Sequence, residues 1–483
     1  MRSETVVIAD VGREDSAQLG VATEYLVPDS RFPGSRLRFR LDGLSSQICR
    51  GPGRMGSKMN SAHIRRVIAA GMIGNALEWY DFAIYGYFAV QIGRHFFPHD
   101  DAVAQLLSAF GVFAIGYLMR PIGGVLVGHI GDRFGRRTAL IFSVIAMAIP
   151  TFLMGLLPGY QTIGVLAPIG LTLLRVVQGL SVGGEYPSSM VFLVEHAPEG
   201  RRGLMGALVA ASCAIGTLLG SAVGAAFAAS MSTATLDAWG WRIPFLLGLV
   251  VGIAGYILRR HVLETGVAEK RMRAPIVETL HDHGRVVAAF AGLSVFSSVT
   301  FYIGFVYMVS WLQIADGIPP SRALEINTFS MVVSLPVLIA AGWLSDRVGR
   351  KPLMLLASMG GVIGALPLFW LLNHPSELHA QLGQLGLVVL MGLYYGALPA
   401  TLVEAAPPTV RCTTVALGYN LCLGLFGGLS PLVATWLVER TGDEIAPAFL
   451  IMAAAAVTFV TLFTLRETYR APFGADPRTT AAK

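Results

Sequence analysis

GHIGDRFGRR at 128–137 and GWLSDRVGRK at 342–351 are one phrase written twice, G-x-x-x-D-R-x-G-R-[RK], with every fixed position kept. Each copy lies between two apolar stretches, so what is repeated depends on the sequence around it. Such stretches follow one another along the chain, at about 67–93, 102–127, 138–157, 163–190, 204–229, 243–260, 286–312, 326–345, 353–372, 382–403, 413–438 and 445–465. Each is close to the ~20 residues that cross a hydrocarbon layer as a helix. Helices are expected throughout, because lipid offers the backbone no other hydrogen-bond partner. The longest and most polar internal loop, 261–285, falls after the sixth stretch. The expected fold is therefore all-α and integral to a membrane, with twelve transmembrane helices in two pseudo-symmetric six-helix bundles.

Composition agrees. Of 483 residues 54% are hydrophobic and 14% charged, against roughly 25% charged in soluble proteins, and the mean hydropathy is +0.61. A soluble enzyme, a coiled coil and a disordered chain are excluded. The four cysteines are scattered, without CxxC or metal-ligand spacing. Neither GxxxxGK[ST] nor HExxH occurs, so no ATP-binding loop, zinc site or other cofactor is expected. The net charge of +6 is a topology signal and not a nucleic-acid footprint. Loops on the N-terminal side of the spans hold seventeen Lys and Arg, and the opposite loops hold Arg94, Arg242, Arg322 and Arg440. Both termini are expected in the cytoplasm, with the chain multi-pass in the inner (plasma) membrane. Residues 1–62 form a polar extension, read as a disordered tail or as a start assigned ahead of Met55 or Met59. The bundles are then 63–260 and 286–466, with 261–285 as a cytoplasmic linker and 467–483 as a short tail.

Charges inside spans are the candidate chemistry, since each costs about 2.5–3.5 kcal/mol at the bilayer centre. Glu78, Asp81 and Tyr85 lie on one helical stripe of the first span, extended by Asn75. A carboxylate there is a natural proton carrier, because desolvation disfavours its charged form and a nearby cation restores it. The alternative is a structural ion pair between the first and fourth spans. The fourth span places Arg175, Gln178 and Glu185 on a shared face. Arg175 offers the paired donors that suit a carboxylate, and protonation of Asp81 would free it for a substrate; the alternative is a permanent brace. Arg120, before Pro121, either meets the anionic end of a substrate or pairs with Glu185. Tyr302 and Tyr307 of the seventh span are candidates to face an ammonium group, while Trp311 reads as an interfacial anchor. Asp132 and Asp346, at the cytoplasmic ends of spans, are placed to cap a helix of the other half. With Arg133, Arg136, Arg201, Arg202, Arg347 and Arg350, and with Glu195 or Glu199 as partners, they make a gate whose pairs break on opening.

The doubled phrase resembles the loop signature of the major facilitator superfamily. Within it, GNALEWYDFAIYGYFA (74–89), YLMRPIGG (117–124), RVVQGLSVGGEY (175–186), EGRRG (199–203) and WGWRIPF (239–245) are similar to blocks of the metabolite:proton symporter family. The similarity runs through 63–470. That family includes carriers of proline and betaine, of 2-oxoglutarate, of shikimate and of citrate, and the resemblance implies uptake driven by inward proton movement. The expected function is a proton-coupled symporter importing a small carboxylate-bearing metabolite by alternating access, working as a monomer with solute, proton and lipid as its partners and no nucleic acid. A zwitterionic osmolyte such as proline or betaine ranks second, followed by a solute sensor that does not transport. The tail after Arg466 is too short for the C-terminal coiled coil of some osmoregulatory betaine carriers.

The charge bias yields a first prediction. A cysteine placed at Thr265 should resist membrane-impermeant thiol reagents in intact cells and react once the membrane is opened. Ready labelling of intact cells would invert the topology.

Overall fold

A computed structural model of the chain describes residues 61–98, 100–134, 136–259, 275–315, 317–374 and 376–469, all regular elements among them being helical. The extension expected at 1–62 thus lies almost wholly outside the described residues, as does the tail beyond Tyr469. Twelve rods follow in order. They are α1 (Ser61–Tyr87, continued by Ala89–Phe96), α2 (Ala102–Leu118 and Arg120–Phe134), α3 (Arg136–Leu156), α4 (Leu166–Ser181 and Glu185–Glu195), α5 (Arg202–Ser230) and α6 (Arg242–Arg259). The second set is α7 (Pro275–Phe301, a π-helical Tyr302–Tyr307, then Met308–Ile314), α8 (Pro320–Val348), α9 (Arg350–Leu372), α10 (Glu377–Ala405), α11 (Arg411–Cys422, a π-helical Leu423–Gly427, then Ser430–Thr441) and α12 (Pro447–Thr464).

Among the described residues nine helices are long and apolar enough to cross a membrane, and α6 makes a tenth if its 51° bent approach through Thr233–Gly240 is counted with it. The apolar run of α1 is broken by Asn75, Glu78 and Asp81, and that of α3 is the shorter Ile141–Leu156. Local signals set the ends. Asp101 accepts from the Val103 amide at 2.8 Å to start α2, and prolines in the first turn open α8 and α12. One boundary departs from expectation. Residues 275–285, expected in the linker, are the first turns of α7, kinked at His283 (φ −128°). Residues 260–274 lie outside those described.

The two halves meet most extensively where α5 runs along α8. At one end Gly203 and Gly342 pack backbone to backbone; a Cβ on Gly342 would come within 2.7 Å of the Gly203 carbonyl oxygen. Toward the other end Ser221 Oγ lies 2.8 Å from Thr328 Oγ1 and accepts from Asn327 Nδ2 at 3.1 Å.

The arginine-rich end carries the polar seam. The carboxylate of Asp346 accepts from the Gly203 and Leu204 amides at 2.8 and 2.9 Å, so an acid of α8 caps the orphan donors that begin α5 in the other half. Arg350, 2% exposed, pairs with Asp346 at 2.8 Å and with Glu404 of α10 at 3.1 Å. Arg202 reaches Glu404 across the seam at 3.9 Å. Arg411 of α11 donates to Glu195 of α4 at 2.5 Å. A strap beyond α12 joins in. Glu467 accepts from the Arg350 and Lys351 amides at 3.0 and 2.9 Å, and Thr468 Oγ1 donates to Glu404 at 2.7 Å. The partner of Glu195 is therefore Arg411 and not Arg201 or Arg202, because the last turn of α4 crosses the first turn of α11. Arg201 is exposed, and Arg347 is exposed over the Trp343 ring at 3.5 Å. The side chains of Asp132, Arg133 and Arg136 lie outside the described residues.

Such caps are worth about 0.5–2 kcal/mol each. Ser188 Oγ of α4 stands 3.6 Å from Cys412 Sγ of α11, which makes the closure testable. In a Ser188→Cys variant, oxidation should join the halves, detected as fragments that stay together after cleavage between residues 260 and 274, and should stop solute uptake until a reductant is added. Fragments that separate after oxidation would show that α4 and α11 do not meet in the membrane.

Candidate functional site

Aromatic residues of both halves converge between α1, α2, α5 and α7. Trp79, Phe82, Phe113, Tyr117, Phe301 and Tyr302 line a central void with Ala83, Thr217 and Val306, closed so tightly that no water fits. The rings meet edge to face or tilted: Trp79 with Phe301 at 5.5 Å, Phe82 with Tyr117 at 4.8 Å, Phe113 with Tyr117 at 4.8 Å and Tyr117 with Tyr302 at 5.1 Å. Two features seat them. Tyr302 begins the π-helical turn of α7, a local irregularity that re-aims side chains. The corresponding turn of α11 presents glycine to both tyrosines: a Cβ on Gly428 would fall 2.3 Å from Tyr117 Cβ, and one on Gly427 2.9 Å from the Tyr302 ring.

Two guanidiniums border this enclosure and share the Phe82 ring, Arg120 at 5.3 Å and Arg175 at 4.8 Å from its centroid. Their partners differ. Arg120 donates to Glu78 Oε1 at 3.0 Å, with both side chains buried. Arg175, 0% exposed, lies over Tyr85 at 4.3 Å and Phe113 at 5.3 Å. Its only hydrogen bond among the described residues goes from Nη1 to Gln178 Oε1 at 2.7 Å, leaving Nε and Nη2 without one. Gln178 donates in turn to Thr151 Oγ1 at 2.6 Å, and Thr151 stands beside Asp81. Asp81 is 3% exposed, and its Oδ1 has no hydrogen-bond partner among the described residues. A polar string thus runs from Arg175 through Gln178 and Thr151 to Asp81.

Against the sequence expectations, the structure joins Arg175, Gln178 and Tyr85 in one cluster, with Tyr85 as its floor and its hydroxyl donated to the Ala109 carbonyl at 3.0 Å. The ion-pair brace holds α1 to α2 through Glu78 and Arg120; it does not hold the first span to the fourth. Arg120 pairs with Glu78 and not with Glu185, because the break in α4 at 182–184 carries Glu185 past it. Tyr302 lines the void, while Tyr307 packs beside Phe110 outside it. Trp311, expected at the interface, is 2% exposed. Sequence reasoning missed Trp79, Phe82, Phe113 and Tyr117 in the cavity, and Glu404, Arg411 and Glu467 at the seam. The three-residue step from Trp79 to Phe82 and the four-residue step from Phe113 to Tyr117 were the available signals.

The Major Facilitator Superfamily model matches residues 71–419. A proline/betaine transporter of Escherichia coli (strain K12) is 35% identical over 435 residues, covering 87% of each chain. A glycine betaine/proline/ectoine/pipecolic acid transporter, OusA, of Dickeya dadantii (strain 3937) is 34% identical over 436 residues, again 87% of each. Among solved structures, the partially occluded inward-open xylose transporter XylE from E. coli superposes with a TM-score of 0.69 at 18% identity, covering 85% of this chain and all of that one. The structural likeness speaks for the fold alone, and the sequence relatives carry the rest. The chain belongs to the major facilitator superfamily, as a multi-pass membrane transporter, not an enzyme, of the group that includes proline/betaine transporters.

Proposed function

We propose that this transporter imports a small zwitterion of the proline or betaine type together with a proton, across the plasma membrane, with both termini in the cytoplasm. The observation that carries the proposal is the buried Arg175 guanidinium, two of whose nitrogens lack a hydrogen bond, on the edge of an enclosure built from aromatic faces. A buried cation left without an anion is costly, so the site calls for a carboxylate from the solute. The ammonium of the same solute would then rest against Trp79, Phe301 and Tyr302, whose ring faces attract a cation with no full charge of their own. A quaternary ammonium, which has no N–H to donate, suits rings better than a carboxylate.

This ranks the zwitterion above the mono- or dicarboxylate placed first from sequence. A second carboxylate would have only Arg120, which Glu78 already occupies. The 34–35% identical relatives that are described as carriers of proline and betaine favour the same choice. Coupling falls to Asp81. Glu78 is held by Arg120, whereas Asp81 faces Arg175 without a direct hydrogen bond and is joined to it through Thr151 and Gln178. Protonated, Asp81 ceases to attract Arg175 along that string, and the guanidinium turns its full charge to the solute. Binding draws the halves together around the cavity, and release follows when Asp346, Arg350, Glu404, Arg411 and Glu195 part at the seam, as alternating access requires.

Two measurements test the solute and the proton separately. Arg175→Ala should lower glycine betaine and proline uptake at least a hundredfold, while Trp79→Ala should weaken glycine betaine by about tenfold, the scale of a desolvated cation–π contact of ~1–2 kcal/mol. Wild-type uptake of 2-oxoglutarate in preference to both would reverse the ranking. Asp81→Asn mimics the protonated acid; it should abolish accumulation driven by a pH gradient and flatten the pH dependence of transport, while exchange between equal compartments continues. Full gradient-driven accumulation by this variant would remove Asp81 from the coupling.

A further inference from the structure

A second recess lies apart from the aromatic enclosure. It is lined by Glu78 and Asp81 of α1, Ser143 and Met147 of α3, Glu185 of α4 and Gly252 of α6, and its volume of about 20 Å³ is room for one water. All of its lining belongs to α1, α3, α4 and α6; the second bundle contributes nothing to it. Asp81 enters it nearly fully buried, with Oδ1 unpartnered among the described residues. Glu185 is partly exposed and opens the second segment of α4, beyond the break at 182–184 and nearer the seam than Arg175. The recess therefore links a carboxylate at the level of the cavity to one nearer the arginine-rich surface.

The surroundings limit what can travel along it. Facing Asp81 are Glu78 and Tyr80 on its own helix, Thr151 on α3 and Arg175 on α4, while the described residues that α6 offers, Gly248, Val251 and Gly252, are uncharged. Around Glu185 the described groups are Glu78 and Ser143 across the recess and Cys213 on α5. Ser143 donates its hydroxyl to the Ser181 carbonyl at 2.8 Å, so its lone pairs stay available to a water. Glu78 remains engaged with Arg120. A space for one water between two carboxylates suits a hopping proton and excludes the organic solute.

We propose that the proton leaves Asp81 through this recess, by way of one water to Glu185 and on to the cytoplasm, so that it travels inside the N-terminal bundle while the solute passes between the bundles. In each step a proton moves from a carboxyl group to water and from water to the next carboxylate, and no other bond changes. Glu185 is thereby a relay residue for the coupled ion. The inference rests on the proton coupling proposed above, and its test separates the two.

Purified protein in liposomes with an internal pH-sensitive dye is given external glycine betaine. The wild type should acidify the interior as betaine enters. Glu185→Gln should lose at least tenfold of that acidification and of accumulation driven by a pH gradient, while betaine counterflow, which needs no net proton movement, continues; Glu185→Asp should recover much of the acidification. Normal acidification by Glu185→Gln would overturn the relay and leave the coupling intact. So would a parallel loss of counterflow in both variants, which marks a structural role. Betaine entry into wild-type liposomes without acidification would overturn the coupling itself, and the relay with it.

Discussion

Two guanidiniums press on one phenyl ring at the centre of this molecule, in a region where no bulk water can solvate them. Hydrocarbon makes an isolated charge expensive, so each arginine needs an answer. Arg120 is answered internally by Glu78. Arg175 receives only an amide oxygen and the faces of Phe82, Tyr85 and Phe113. The first arrangement is complete and fixes α1 against α2. The second is incomplete by one anion, and the cavity, the polar string to Asp81 and the aromatic lining are arranged around that deficit.

The seam obeys the opposite logic. There the charges are satisfied, and by partners on different helices, several of them from opposite halves. Asp346 supplies the missing acceptors for the first amides of α5, a role that costs little to form and little to lose. Arg350 ties that carboxylate to Glu404, and Glu404 also meets Arg202 from the far side. The caps and ion pairs thus share residues and make one connected cluster across the two halves. The tight backbone approach of Gly203 and Gly342 beside it fixes the register of α5 against α8.

The sequence made some of this legible and hid the rest for a physical reason. The doubled phrase at 128–137 and 342–351, with apolar stretches of constant length, disclosed two bundles, since length and repetition survive in one dimension. Arg175, Gln178 and Tyr85 were visible as functional candidates because polar residues in lipid stand out wherever they fall. Their partners were not visible. Whether Glu78 meets Arg120 or Arg175, and whether Glu195 meets Arg201 or Arg411, depends on helix rotation and crossing, which spacing along one helix does not encode. Trp311 shows the same limit: its place near a span end suggested the lipid interface, but α7 is enclosed by its neighbours over most of its length. Of the aromatic enclosure only Tyr302 was anticipated, because its rings come two from each of three helices and their convergence depends on how those helices pack.

The strap at Glu467 and Thr468 has a practical side. It crowns the first turn of α9 and grips the same Glu404 that holds Arg350. The segment leaving the last helix is thus mechanically in series with the polar contacts of the arginine-rich face. Anything that pulls on this segment, such as a fused reporter joined without slack or an antibody bound close behind it, loads the contacts of Glu404 and Arg350. Reagents attached there would report on contacts they have already disturbed, so labels for following the transport cycle belong on the opposite face of the molecule.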